Sequence, residues 1–161
     1  MKTLLLLRHA HAENLMPGSS DSERALTGAG RSQARELGLY LREHAVAIDL
    51  ALSSNARRTQ ETTELIIATG ALAAVRYEQA MYEASRADLL GLVRKTQDPI
   101  GSLLLVGHNP GLEDFAQLLT KRTVSMSTCT LATIKLTVDK WSDVDEDAGD
   151  LEGILRTGDL H

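Results

Sequence analysis

The chain has 161 residues, 43% of them apolar, which is enough for one domain with a buried core and too apolar for disorder. Its 22 acidic residues outnumber 17 basic ones, for a net charge of -5, the reverse of the balance expected in a nucleic-acid binder. A single cysteine, Cys129, excludes an internal disulfide and suits a reducing compartment, and with only 3% aromatic residues the core must be built from Leu, Ala, Val and Ile.

The first element is the apolar run Thr3–Leu7, whose length and continuity predict a strand buried on both faces. A signal peptide is the competing reading, because Lys2 precedes the leucines and Ala10–Ala12 imitates a cleavage site. Arg8 ends the apolar core after four residues, however, against the roughly 7–15 that such a peptide needs. No segment approaches the roughly 18 apolar residues of a membrane helix. The expected location is therefore the cytoplasm, with no membrane contact.

A polar loop with Pro17 and Gly18 follows over Leu15 to Ala25. Ala34, Leu37, Gly38 and Leu41 fall at helical spacing, predicting a helix from about Gly28 to Glu43 with Thr27 as N-cap. Ile48–Ser54 reads as a second strand and Ala56–Ala68 as a helix. The stretch from Ala74 to Ser85 reads as a short strand and a loop, and Ser85 with Asp88 marks a capped helix start. Leu103–Val106 is a second buried strand, Gly107–Gly111 a turn and Leu112–Leu119 a helix. "TCTLATIKLTV" alternates as a strand does, "GILRTGDL" adds a last one, and the acidic segment "DKWSDVDEDAGD" between them reads as a solvated hairpin tip. Strands alternating with helices imply an α/β three-layer sandwich, its central sheet mostly parallel with an antiparallel edge strand. No linker, internal repeat or second domain is visible, so residues 1–161 are expected to form one domain.

In such a sheet, sites form at the C-terminal ends of strands. Three polar clusters fall there: Arg8–His9, Ser53–Arg58, and the segment Gly107-His108-Asn109-Pro110. Brought together, two histidines and two or three arginines make a positive pocket suited to phosphate, since guanidinium forks match phosphate oxygens. The competing reading is a metal site built from His9, His11, Glu13 and His108. Neighbouring arginines would repel a cation, and His9 and His11, two apart on an extended segment, would point in opposite directions. His11, His44 and His161 read as ordinary surface or core histidines.

The four segments "LLLLRHAHAE", "LTGAGRSQA", "LALSSNARRTQET" and "LLLVGHNPGL" resemble, in order, the signatures of the histidine phosphatase (phosphoglycerate-mutase-like) superfamily, and "VGHNPGLEDFAQLL" resembles its SixA-like phosphohistidine phosphatase branch. The resemblance implies the phosphoglycerate-mutase-like fold. It implies that His9 is the nucleophile that becomes phosphorylated, that Arg8 and Arg58 bind the phosphate, and that His108 is the second pocket histidine. Arg57 becomes a variable neighbour. Asn14 lies near a position where some members set an asparagine against the phosphate. Glu83 is the nearest candidate for the proton donor that many members carry after the third strand. Ala10 stands where the family has glycine, and Asn55 where it has proline.

The implied activity is a metal-independent phosphatase without cofactor, acting on phosphohistidine carried by a protein. Imidazole, with a conjugate-acid pKa of about 6.5, leaves far more readily than an alkoxide, and a chain of 161 residues has little length for a lid over a small substrate. The alternatives are a phosphatase of small phosphate esters, a weakly active phosphate-binding regulatory module, and a metal-dependent hydrolase.

Overall fold

The structure, a computed structural model, describes residues 1–72 and 74–160; His161 lies outside the described residues. Six strands form one sheet: β1 (Lys2–Arg8), β2 (Leu50–Ser54), β3 (Val75–Glu78), β4 (Ser102–Gly107), β5 (Thr130–Leu136) and β6 (Gly149–Arg156). Their spatial order is β3-β2-β4-β1-β5-β6. The first four strands run parallel, whereas β5 is antiparallel to β1 and β6 to β5. The expected antiparallel edge is thus two strands wide.

The unbroken leucine run of β1 follows from its central place. Leu5 and Leu7 join Leu104 and Val106 of β4 beneath α1 (Gly28–Glu43) and α2 (Arg57–Ala68), while Leu4 and Leu6 join Leu103 and Leu105 beneath α3 (Arg86–Arg94) and α4 (Gly111–Thr120). All eight are at most 1% exposed. At roughly 1.5–3 kcal/mol per buried side chain, both faces of this strand pair favour the three-layer arrangement. Among the described residues, no helix is long and apolar enough to cross a membrane.

The segment 139–150 departs from the solvated tip that its acidic composition suggests. Trp141 and Val144 are fully buried in the α3/α4 core, and the Trp141 indole donates to the Ile100 carbonyl at 2.6 Å. β6 also begins at Gly149, ahead of the "GILRTGDL" segment expected to form it. Its leading residues include exposed Asp150 and Glu152 on a sheet edge, where strand pairing proceeds without an apolar pattern.

Thr27 caps α1 as expected, accepting from the Gly30 amide at 3.0 Å. Gly30 passes directly over the His11 backbone, and a Cβ there would overlap the His11 carbonyl oxygen; at Gly28 a Cβ would meet nothing within 4 Å. Overpacking against fixed backbone typically costs about 1–3 kcal/mol. Gly30→Ala should therefore lower the urea midpoint while Gly28→Ala leaves it unchanged or slightly raised. Equal midpoints for the two variants would show that α1 does not rest on this loop.

Candidate active site

Strand register assembles the site. Arg8 lies opposite Gly107 in the parallel β1–β4 pair, and Ser53 lies opposite Val106 in the β2–β4 pair, so His9, His108 and Ser54 come from adjacent strand ends. The segment leaving β1 is fixed from three sides. The His9 amide donates to the Gly107 carbonyl at 3.1 Å, and the Cys129 amide reaches the carbonyls of both Arg8 and His9 at 3.0 Å. The Ala10 amide donates to the Thr62 hydroxyl of α2, also at 3.0 Å.

The side-chain contacts fix both imidazole tautomers. His9 Nδ1 lies 2.8 Å from the Ala10 carbonyl, which can only accept, so Nδ1 carries the proton and Nε2 keeps a free lone pair. Arg58 Nε donates to that Nε2 at 3.3 Å. The Arg58 guanidinium, which can only donate, also reaches His108 Nδ1 at 3.3 Å. His108 therefore carries its proton on Nε2 and donates to Ser54 Oγ at 2.8 Å. The two rings lie 5.4 Å apart between centroids. Burial, reinforced by the neighbouring arginines, holds the His9 imidazole down to about 4 and that of His108 to about 3, so both are neutral near pH 7.

Of the two adjacent arginines in the first turn of α2, Arg58 turns inward and is 6% exposed. Arg57 points outward to Glu61, its Nε 3.5 Å from the carboxylate in an i,i+4 pair. Arg8 is partly buried; its Nη1 donates to the Met126 carbonyl at 3.1 Å, and its buried Nε has no partner among the described residues. Asn109 Nδ2 shares the Met126 carbonyl at 2.8 Å. Arg8, His9, Arg58 and His108 are thus brought together. The resulting centre sets two unprotonated imidazole nitrogens, His9 Nε2 and His108 Nδ1, against the Arg58 guanidinium with Arg8 nearby, and this concentration of cationic donors favours an oxyanion.

Other candidates lie further out. Glu83 is exposed at φ 55° and lines a groove of about 310 Å³ with Ser85, His108, Asn109 and Asp114, which places it on the rim beside His108. Asn14 is exposed, and its side chain makes no hydrogen bond among the described residues. His11 faces away from His9 and pairs with Thr27 Oγ1 at 2.8 Å, while His44 stacks on Tyr40 at the end of α1. A cavity of about 470 Å³ opens between α1 and the C-terminal turn, lined by neither His9 nor His108.

Asp21 is the contact that the sequence did not reveal. It begins a short 3-10 helix (Asp21–Glu23) inside the polar loop. Its Oδ2 accepts from Arg58 Nη2 at 3.0 Å and from the Tyr82 hydroxyl at 2.5 Å, and its Oδ1 accepts from Arg24 at 3.0 Å. The Tyr82 hydrogen bond, joined by the two arginines, holds this carboxyl far below the usual carboxylate range. The only local signal was an aspartate among serines, a pattern shared by many solvated turns.

Residues 4–100 match the family model of the histidine phosphatase superfamily (branch 1). An uncharacterized chloroplastic protein of Arabidopsis thaliana is 28% identical over 152 residues, spanning 88% of this chain and 70% of its own length. An uncharacterized protein of Mycobacterium tuberculosis is 32% identical over 110 residues, 68% of each chain. Among solved structures, a SixA from Nakamurella multipartitia, described as a candidate phosphohistidine phosphatase, superposes with a TM-score of 0.84 at 26% identity, covering 96% of this chain and 95% of that one. A SixA from Agrobacterium tumefaciens, described likewise, gives 0.82 at 27% identity, covering 96% and 97%.

The two pocket histidines have a measurable signature. Unfolded imidazoles take up protons near the ordinary value of 6.5, whereas the folded ones wait until about 4 and about 3. Acid therefore loads protons preferentially onto the unfolded chain, and stability should fall as pH drops from about 6.5 towards 4. NMR of the ring nitrogens should show His9 and His108 neutral at pH 5.5, and a His9→Asn, His108→Asn double variant should flatten this part of the stability profile. Protonated rings at pH 5.5 would contradict the buried, arginine-flanked geometry.

Proposed function

The chain belongs to the histidine phosphatase superfamily, and from that membership we propose that it is a metal-independent phosphatase working through a phosphohistidine at His9, with phosphohistidine on a protein as its substrate. One observation carries the reading: His9 Nδ1 is committed to the Ala10 carbonyl, which leaves Nε2 as a neutral nucleophile facing Arg58.

In the proposed reaction, His9 Nε2 attacks the phosphorus in line, forming an N–P bond as the bond to the leaving group breaks. Arg58 and the Nε of Arg8, unpartnered among the described residues, donate to the equatorial oxygens, where charge spreads in the transition state, and His108 joins them once its N–H turns from Ser54 towards the phosphate. Water then attacks the phosphohistidine, releasing phosphate and returning His9 to its neutral form. The arginines supply the positive charge that a metal would otherwise provide.

The leaving group decides the substrate. Asp21 is ionised and engaged by Arg58, Arg24 and Tyr82, so it has no proton to give near neutral pH. Glu83 stands on the rim, exposed. A phosphohistidine ring takes a proton from solvent on its other nitrogen and then departs as neutral imidazole, whose conjugate-acid pKa is about 6.5, so no enzymic acid is needed; an alkoxide has no such route. The likeness to the two SixA structures supports the same choice. In this reading residues 1–161 form one catalytic domain acting in the cytoplasm, with neither cofactor nor nucleic acid as partner.

A second reading, a phosphatase of small phosphate esters, is favoured by the position of Glu83 in the groove beside His108. If Glu83 protonates the leaving group, Glu83→Gln should slow alkyl phosphate hydrolysis by about 10²–10⁴-fold and phosphohistidine hydrolysis far less. Small, equal effects on both would leave Glu83 a surface residue.

The main reading is tested by trapping the intermediate. Incubation with a labelled phosphohistidine protein should give an acid-labile, base-stable phosphoenzyme that is lost in His9→Asn, with activity unchanged by EDTA. Label on His11 or His108, or loss of activity on chelation, would overturn it.

A further inference from the structure

The guanidinium of Arg58 has two hydrogen-bonding edges, and the structure divides them cleanly. On the side edge, Nε and one N–H of Nη2 point the same way and meet the two histidines: Nε on His9 Nε2 and Nη2 on His108 Nδ1, each at 3.3 Å. On the end edge, Nη1 and the other N–H of Nη2 meet Asp21 alone: Nη1 on its backbone carbonyl at 2.9 Å and Nη2 on Oδ2 at 3.0 Å. A planar fork clamped along one edge has its other edge aimed.

We infer that Asp21 is a positioning residue, which holds the outer edge of Arg58 so that its inner edge faces the nucleophilic nitrogen and the phosphate oxygens. The inference rests on the phosphatase reading above and adds to it a residue that contacts neither the nucleophile nor the phosphorus.

The surroundings of Asp21 suit an anchor. Arg24 holds Oδ1 and is itself tied back to the Glu13 carbonyl through Nε at 2.7 Å. The Tyr82 hydroxyl holds Oδ2, with its ring edge-on to His108 at 5.6 Å between centroids. Ser20 and Glu23 close a capping box around the short helix that carries Asp21, and Glu61 of α2 receives the Leu26 amide at 2.8 Å further along the loop. The carboxylate therefore has three donors converging on it, from Arg58, Tyr82 and Arg24, and the Asp21 carbonyl takes a further N–H of Arg58. A competing explanation is that Asp21 is a resident anion which occupies Arg58 until phosphate displaces it. The two roles predict opposite signs: loss of an anchor weakens oxyanion binding, while loss of a competitor strengthens it. The division of edges favours the anchor, because the donors facing the histidines are not the ones that Asp21 uses.

The test is tungstate binding by calorimetry, together with kcat and KM on a phosphohistidine protein, for the wild type, Asp21→Ala, Asp21→Asn, Arg58→Ala and the Asp21→Ala, Arg58→Ala double variant. Asp21→Ala should weaken tungstate binding and lower kcat/KM on the order of 10–100-fold. Asp21→Asn, which keeps a carbonyl oxygen for Nη2, should recover part of the loss. In the double variant the loss should be no greater than in Arg58→Ala alone, since Asp21 acts through that arginine. Unchanged or tighter tungstate binding by a folded Asp21→Ala, or fully additive losses in the double variant, would overturn the proposal. Failure of the wild type itself to bind tungstate would instead sink the phosphate-site reading, so the two failures are distinguishable.

Discussion

Parallel hydrogen bonding between β1 and β4 sets Arg8 opposite Gly107, and β2 on the other flank of β4 brings Ser54 alongside. This register is the constraint on which the site depends. A one-residue slip would reverse the faces of the alternating leucines, exposing one core and crowding the other, so two hydrophobic layers enforce it. The same register places a histidine immediately beyond the end of each of the two strands. The packing that stabilises the sheet is therefore also the packing that positions the two imidazoles.

Charge then differentiates the two rings. Each accepts one hydrogen bond from Arg58 and gives its own proton elsewhere, His9 to a carbonyl and His108 to a serine. The opposite tautomers follow from those second partners and leave His9 Nε2 as the nitrogen that faces the centre. A pocket rich in guanidinium would suppress protonation of both rings even without burial, and burial acts in the same direction. In the proposed reaction this keeps the nucleophile unprotonated in neutral solution while surrounding it with donors for the transferring group.

Much of this was legible in the sequence because it is local. Continuous apolar runs marked β1 and β4, a 3.6-residue period marked α1, and Ser85 with Asp88 marked the start of α3, where the capping box is present. Arg58, rather than Arg57, turns inward, in keeping with the resemblance carried by "LALSSNARRTQET", and Glu61 four residues on accounts for the outward turn of Arg57. What escaped the sequence depends on distant partners. Trp141 sits in an acidic segment whose composition indicates solvent, and its burial is settled by a core and a carbonyl at Ile100, 41 residues away. Asp21 sits in a polar loop, and its meaning comes from Arg58, 37 residues on, and Tyr82, 61 residues on. A carboxylate is also the residue least expected in a pocket read as a phosphate site, and it becomes intelligible only when the two edges of the guanidinium are seen apart.

In the proposed mechanism one oxyanion centre is shared by His9, Arg8, Arg58 and His108, with His9 Nε2 as the attacking atom. A crystal structure with vanadate measures this most directly. Vanadium should be bonded to His9 Nε2, with equatorial oxygens held by Arg8, Arg58 and His108, and Asp21 still on the outer edge of Arg58. Vanadate bonded to His108, or seated on arginines away from His9, would contradict it.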